Sequence, residues 1–178
     1  LAAAREQPVQ LTLSGPTGGV VAARAVAEEL GLKRAVTLDM GGTSTDCSTV
    51  VNGQISFTTD FEIEFGLPIQ IPMIDIRTIG AGGGSVAWID TGGMLRVGPE
   101  SAGARPGPAC YGFGGERPTV TDANLVLGRI NPANFLGGGM ALASERAHRA
   151  LHTVAAPLGM TVEQAALAIL RIVNNNMV

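Results

Sequence analysis

Lysine occurs once in the 178 residues, at Lys33, so no Gly-Lys-Ser/Thr stretch exists and a Walker-type phosphate loop is excluded. Cysteine occurs twice, at Cys47 and Cys110, far apart and outside any Cys-x-x-Cys. Neither a disulfide framework nor a cysteine zinc site is suggested, and a reducing, cytoplasmic setting fits. Charged residues are only 15% of the chain and the net charge is −3, which excludes a disordered chain and a nucleic-acid binder held by a basic patch. No run of about 18 apolar residues appears, and the N-terminus lacks the basic-then-apolar order of a signal peptide, so no membrane partner is expected. What is plentiful is glycine, 25 residues without a collagen period, which implies sharp turns or backbone brought close to another group. Hydrophobic residues, at 46%, suffice for one buried core in a chain too short for two ordinary domains. The chain opens on Leu1 without Met and reaches Val178 inside a helical pattern, so it is expected to be a piece of a longer protein.

The pattern along the chain predicts strands first and helices afterwards. Leu11-Thr12-Leu13 reads as a short strand, and Ser14 to Gly19 as a turn before a helix from near Val20 to Leu30, closed by Gly31. Ala35 to Leu38 reads as a buried strand aimed at Asp39. Asn52-Gly53, between Asp46–Val51 and Gln54–Thr58, is the pair a two-residue type I′ hairpin demands, because both positions need positive φ. Phe61, Ile63 and Phe65 alternate with Glu62 and Glu64, and Ile69 and Ile71 with Gln70 and Pro72, suggesting more strands in one antiparallel sheet. Ser85–Asp90 and Met94–Val97 form another hairpin through Thr91-Gly92-Gly93. Three regions result within one partial domain over 1–178: sheet-rich 1–98, a Gly- and Pro-rich loop at 99–118, and helical 119–178. Helices are expected over Asp122–Leu127, over Ser144–Ala156 with Ala147, Leu151 and Val154 on one face, and after Thr161-Val162-Glu163-Gln164, a capping box.

The richest stretch chemically is Leu38-Asp39-Met40-Gly41-Gly42-Thr43-Ser44-Thr45-Asp46. Glycines allow a tight turn whose N–H groups can point at phosphoryl oxygens, and the three hydroxyls add donors. Two carboxylates beside a phosphate repel it unless a cation intervenes, so Asp39 and Asp46 imply Mg²⁺, or one of them orients a water. Spacing alone leaves an ordinary hairpin turn equally open. Gly80-Ala81-Gly82-Gly83-Gly84-Ser85 is glycine-dense, but the Val86–Ile89 stretch after it reads as a strand, against a dinucleotide turn. The cost of so many glycines suggests a ligand near the backbone or positive φ, and a Cβ at Gly83 is expected to enter a cleft. Asp75 and Arg77 are either ligand contacts or an ion pair tying two loops. His148 and His152 lie one helical turn apart, but with no acidic third ligand, and with Arg149 where a zinc protease needs Glu, they read as exposed. Cys110 and Tyr111 either approach a substrate or pack, packing being the favoured reading for Cys110. Trp88, Met94, Leu167, Leu170 and Met177 are core candidates.

Three blocks in order resemble the hydantoinase A/5-oxoprolinase family: Asp39 to Asp46, Asp75 to Ser85, and Pro118-Thr119-Val120-Thr121-Asp122-Ala123-Asn124-Leu125. The resemblance implies an α+β fold forming part of the second lobe of an actin-like ATPase, related to sugar kinases and heat-shock chaperones, with helices packed on a mixed sheet. It implies ATP and Mg²⁺ as cofactors. Gly41, Gly42, Thr43, Ser44 and Thr45 would form the second phosphate hairpin, with Gly80, Gly82, Gly83 and Gly84 also on the cofactor side. Asp39 and Asp46 would be the catalytic acids, Asp39 on the metal. Family members phosphorylate an amide or carbonyl oxygen of a hydantoin, 5-oxoproline or a ketone; many carry His where this chain has Arg77. The implied activity is ATP-driven ring opening of a small cyclic amide, the alternatives being acetone-type carboxylation and a non-catalytic scaffold lobe. The implied partners are a first lobe, an adenosine segment and a hydantoinase B-type subunit, without which the isolated chain is expected to be inactive.

Overall fold

The computed structural model describes residues 5–6, 8–11, 13–59, 61–64, 67–69 and 72–177. The chain groups into two compact units, one of residues 1–39 and 46–78, the other of residues 40–45 and 79–178.

In the first unit, helix α1 spans Ser14–Glu29, six residues earlier than the glycines suggested. The first turn of a helix needs no donors from its own N–H groups, so Pro16 is tolerated there, and the Thr17 amide closes the first bond on the Leu13 carbonyl at 2.9 Å. Leu13 itself is left-handed at φ 62° and Pro8–Leu11 form a 3₁₀ turn, so the strand expected at Leu11-Thr12-Leu13 is not formed; Thr12 lies outside the described residues. Gly31, left-handed at φ 66°, ends the helix as expected.

Strands β1 (Arg34–Met40), β2 (Thr45–Val51) and β3 (Gln54–Ile55) are neighbours in that order, and β8 (Arg77–Ile79) also pairs with β2. Asn52 at φ 52° and Gly53 at φ 73° make the expected hairpin, with Val51 opposite Gln54. The strand content does not form one sheet. β4 (Phe57–Thr58) pairs with β7 (Met73–Ile74), and β5 (Phe61–Glu64) with β6 (Leu67–Ile69), as separate two-stranded ribbons. Phe65, Gln70 and Ile71 lie outside the described residues. Nor is β1 buried: Val36 and Leu38 are exposed, and Leu38 only borders the cavity along α1.

The second unit holds two clusters of buried residues. β9 (Ser85–Ile89) and β10 (Leu95–Ser101) form the expected hairpin, pinned by Asp90, whose carboxylate accepts from the Gly92 and Met94 amides and pairs with Arg96 at 2.7 Å. The Met94 amide, then Arg96, hold the Asp90 carboxyl below its usual range. Helices α2 (Val120–Val126), α3 (Ser144–Ala155) and α4 (Val162–Asn176) follow, within a residue or two of expectation. The Thr161–Gln164 capping box is formed in full. Val97, Val120, Leu151, Val154, Ile169, Leu170 and Val173 fill one cluster, and Cys110, Leu125, Leu142 and Ala147 another. Leu170 is therefore core and Met177 packs at its margin, but Trp88, Met94 and Leu167 are exposed, Trp88 giving its indole N–H to the Gly98 carbonyl. Periodicity marked them as apolar without saying which strand or helix face would be covered.

Candidate functional site

The site begins with a turn. Residues Gly41 to Ser44 join β1 to β2, closed by the Gly41 amide on the Ser44 carbonyl at 2.8 Å. Gly41, Gly42 and Thr43 are exposed, and the Gly42, Thr43 and Ser44 amides donate to no backbone acceptor among the described residues. Backbone donors left over on so short a turn suit an anion.

The 80–85 loop is packed against this turn. The Gly83 amide donates to the Gly41 carbonyl at 3.0 Å and the Gly84 amide to the Gly42 carbonyl at 2.6 Å, while buried Thr45 gives its hydroxyl proton to the Ala81 carbonyl. These contacts explain the glycines. A Cβ at Gly82 would stand 2.7 Å from both the N and C atoms of Thr43, and one at Gly84 would stand 2.8 Å from the Gly42 carbonyl. At Gly83 it would meet the Thr121 hydroxyl at 2.8 Å, so it would press on protein and not, as expected, enter a cleft. None of these glycines has positive φ; close approach of backbones is the reason for them. Gly80 is exposed, and a Cβ there would meet only the Pro99 side chain, at 3.9 Å.

The third block completes the stack. The Thr121 amide and hydroxyl both donate to the Gly83 carbonyl at 2.8 Å. Beside it, fully buried Asp122 accepts from the Ala109, Cys110 and Thr119 amides and from the Thr119 hydroxyl at 2.7 Å, binding the 99–118 loop to the start of α2. Asp122 was not singled out in the sequence, although Thr119-x-x-Asp122 before an apolar run is a capping-box pattern. Burial first, and then the Asp122 charge, push the Cys110 thiol far up, so it is a packed side chain and no nucleophile. Tyr111 stacks at a tilt against Phe135, ring centres 5.7 Å apart.

In the first unit, Asp39 and Asp46 line one cavity of about 280 Å³ with Thr37, Cys47, Ile76 and the Pro16–Ala23 face of α1. Asp46 accepts the Thr78 hydroxyl proton. Arg77 pairs with Asp75 at 3.1 Å, within one segment and not across two loops. His152 is exposed and His148 half-buried. Among the described residues no three His, Cys, Asp or Glu side chains gather as a metal cage. No single helix there is long and apolar enough to cross a membrane.

Helices packed on strands in this way give an α+β fold consistent with an actin-like ATPase. The chain belongs to the Hydantoinase/oxoprolinase family, whose match extends over residues 1–178. It is 46% identical to the caprolactamase subunit alpha of Pseudomonas jessenii over 98% of its own length and 25% of that protein. It is 44% identical to the 5-oxoprolinase of Saccharomyces cerevisiae over 69% of its length and 9% of that protein. The nucleotide-free structure of acetone carboxylase, from a study of ATP-dependent acetone carboxylation, superposes with a TM-score of 0.82 at 36% identity, covering 92% of this chain and 23% of that one. The chain thus spans a quarter or less of these relatives.

Proposed function

We propose that this chain is part of a larger ATP-using subunit that opens a small cyclic amide, with the Gly41–Thr45 turn holding the nucleotide phosphates. The observation that carries the reading is the turn itself, whose Gly42, Thr43 and Ser44 amides donate to no backbone acceptor among the described residues while its underside is fixed by the 81–84 loop. An unstrained amide is a poor electrophile. With ATP as co-substrate, the amide oxygen takes the γ-phosphoryl group and ADP leaves; water then adds to the activated carbon, the C–N bond opens to give a free amine and an acyl phosphate, and a second water hydrolyses the acyl phosphate to carboxylate and phosphate. Oriented amides on the turn stabilise the charge that moves onto phosphoryl oxygens.

Asp39, with Met40 between, precedes the turn in sequence, Asp46 follows it directly, and the two share one cavity. Two carboxylates, with no third ligating side chain among the described residues, fit Mg²⁺, which takes one or two carboxylates with waters and phosphate oxygens. Asp39 would hold the ion, whose charge offsets that of the phosphates; Asp46, already oriented by Thr78, would direct a water. Gly82, Gly83 and Gly84 would serve the cofactor by supporting the turn, with exposed Gly80 the loop's direct contact. The relatives' lactam activities favour amide opening over carboxylation. The name of the caprolactamase relative, a subunit alpha, supports a separate partner subunit, which by the family resemblance would be of the hydantoinase B type. Two unpaired cysteines support a cytoplasmic setting.

The test is ATP turnover by the full-length protein, stimulated by lactams or by ketones. Asp39→Asn and Asp46→Asn should each lower turnover by about 100-fold with melting unchanged, and Asp39→Asn should raise the Mg²⁺ requirement. Unaltered turnover in both variants would make the turn a scaffold. Stimulation by ketone and bicarbonate but not by lactams would give the carboxylase reading instead.

A further inference from the structure

Ser101, the last residue of β10, is 58 positions from the turn in sequence yet reaches it. Its hydroxyl oxygen lies 3.1 Å from the Gly103 amide, 3.4 Å from the Gly42 carbonyl and 3.4 Å from the Thr43 hydroxyl. A serine hydroxyl has two acceptor sites and one proton. One assignment satisfies all of them: Gly103 N–H and Thr43 O–H donate to Ser101, and Ser101 donates to the Gly42 carbonyl. The seat exists because residue 84 is glycine, where a Cβ would stand 2.8 Å from Ser101 Oγ.

We propose that Ser101 is a positioning residue for the phosphate turn, acting through Thr43. The proposal rests on the turn being the phosphate site. Without ligand, the Thr43 proton is parked on Ser101. When a phosphoryl oxygen arrives, Thr43 turns its proton to the anion, and Ser101 swings its own from the Gly42 carbonyl to Thr43 Oγ1. Only hydroxyl rotations are needed, and the Thr43 hydroxyl donates more strongly because it also accepts a hydrogen bond.

Steady-state ATP turnover by the full-length protein tests this. Ser101→Ala should raise the KM for ATP about tenfold, change kcat less than about threefold and barely move the melting temperature. Ser101→Thr, which keeps the hydroxyl, should restore most of the affinity. Ser101→Cys fills the seat with a weak donor and should repeat the rise in KM, which keeps the test open should the alanine chain fail to fold. In a Thr43→Val background, Ser101→Ala should have no further effect on KM. An unchanged KM in Ser101→Ala, or effects of the two changes that simply add, would overturn the role of Ser101 and leave the phosphate site standing. If Thr43→Val and Asp39→Asn also turn over ATP normally, the phosphate site itself is wrong, and this proposal falls with it.

Discussion

The two glycine runs of the second unit look alike in sequence and are opposites in structure. A Cβ built on Gly42 meets nothing within 4 Å, and one on Gly41 meets only the Ser44 carbonyl, at an ordinary 3.5 Å. A Cβ built on Gly82, Gly83 or Gly84 would stand 2.8 Å or less from a protein atom. The first run leaves space open, and the second has its space filled by other parts of the chain. A glycine kept for a ligand and one kept for packing are therefore separable: substitution of the second harms the fold, while substitution of the first harms only what must approach from outside.

The largest effect should come at Gly82. Its three nearest neighbours, 2.7 to 2.8 Å from the missing Cβ, are backbone atoms of Gly42 and Thr43, which no side-chain rotation can move. Gly82→Ala should cost about 3 kcal/mol, the upper end of what overpacking costs, read by urea unfolding of the full-length protein. An unchanged midpoint would mean that the loop and the turn are not held together as described.

Gly83 should be milder. The atom in the way is the Thr121 hydroxyl, the end of a side chain that can turn aside at the loss of its bond to the Gly83 carbonyl. Gly83→Ala should cost about 1 kcal/mol, the net value of one hydrogen bond, because the Thr121 amide still holds the same carbonyl. Any fall in ATP turnover should be accounted for by that loss of stability. A much larger fall would show that Gly83 meets a ligand after all.

Local rules were legible in the sequence where one or two residues decide the outcome. Asn52-Gly53 sets its hairpin because both positions need positive φ, and Thr161 with Gln164 starts α4 because each satisfies the other's backbone. Long-range packing was not legible. Val36 and Leu38 look like core residues in a one-dimensional pattern, yet a strand is buried only if something covers it. Trp88 and Met94 failed for the same reason. The three blocks that carried the resemblance were visible as separate motifs. That they form one stack, from the turn through the loop to Thr121, depends on contacts such as Gly83 to Gly41, whose sequence separation no local pattern encodes. Asp122 lay between these cases: its capping-box spacing was readable, but its hold on Ala109 and Cys110 was not.

The smallest effect on the fold, and the sharpest test of the comparison, belongs to Gly42. It is exposed, its φ lies outside the left-handed region, and an added methyl would touch no protein atom within 4 Å. Alanine also has fewer unfolded conformations to lose than glycine, so Gly42→Ala should leave stability unchanged or raise it by up to about 1 kcal/mol. The same methyl would stand on the turn whose Gly42, Thr43 and Ser44 amides find no backbone acceptor among the described residues, where, on the proposed reading, a phosphoryl oxygen must come within hydrogen-bonding distance of the backbone. ATP turnover by the full-length protein should therefore fall by about tenfold or more while the melting temperature holds or rises, a loss carried by binding and not by folding. If turnover survives Gly42→Ala intact, the open space over the turn admits no phosphate, and the two glycine runs differ in packing alone.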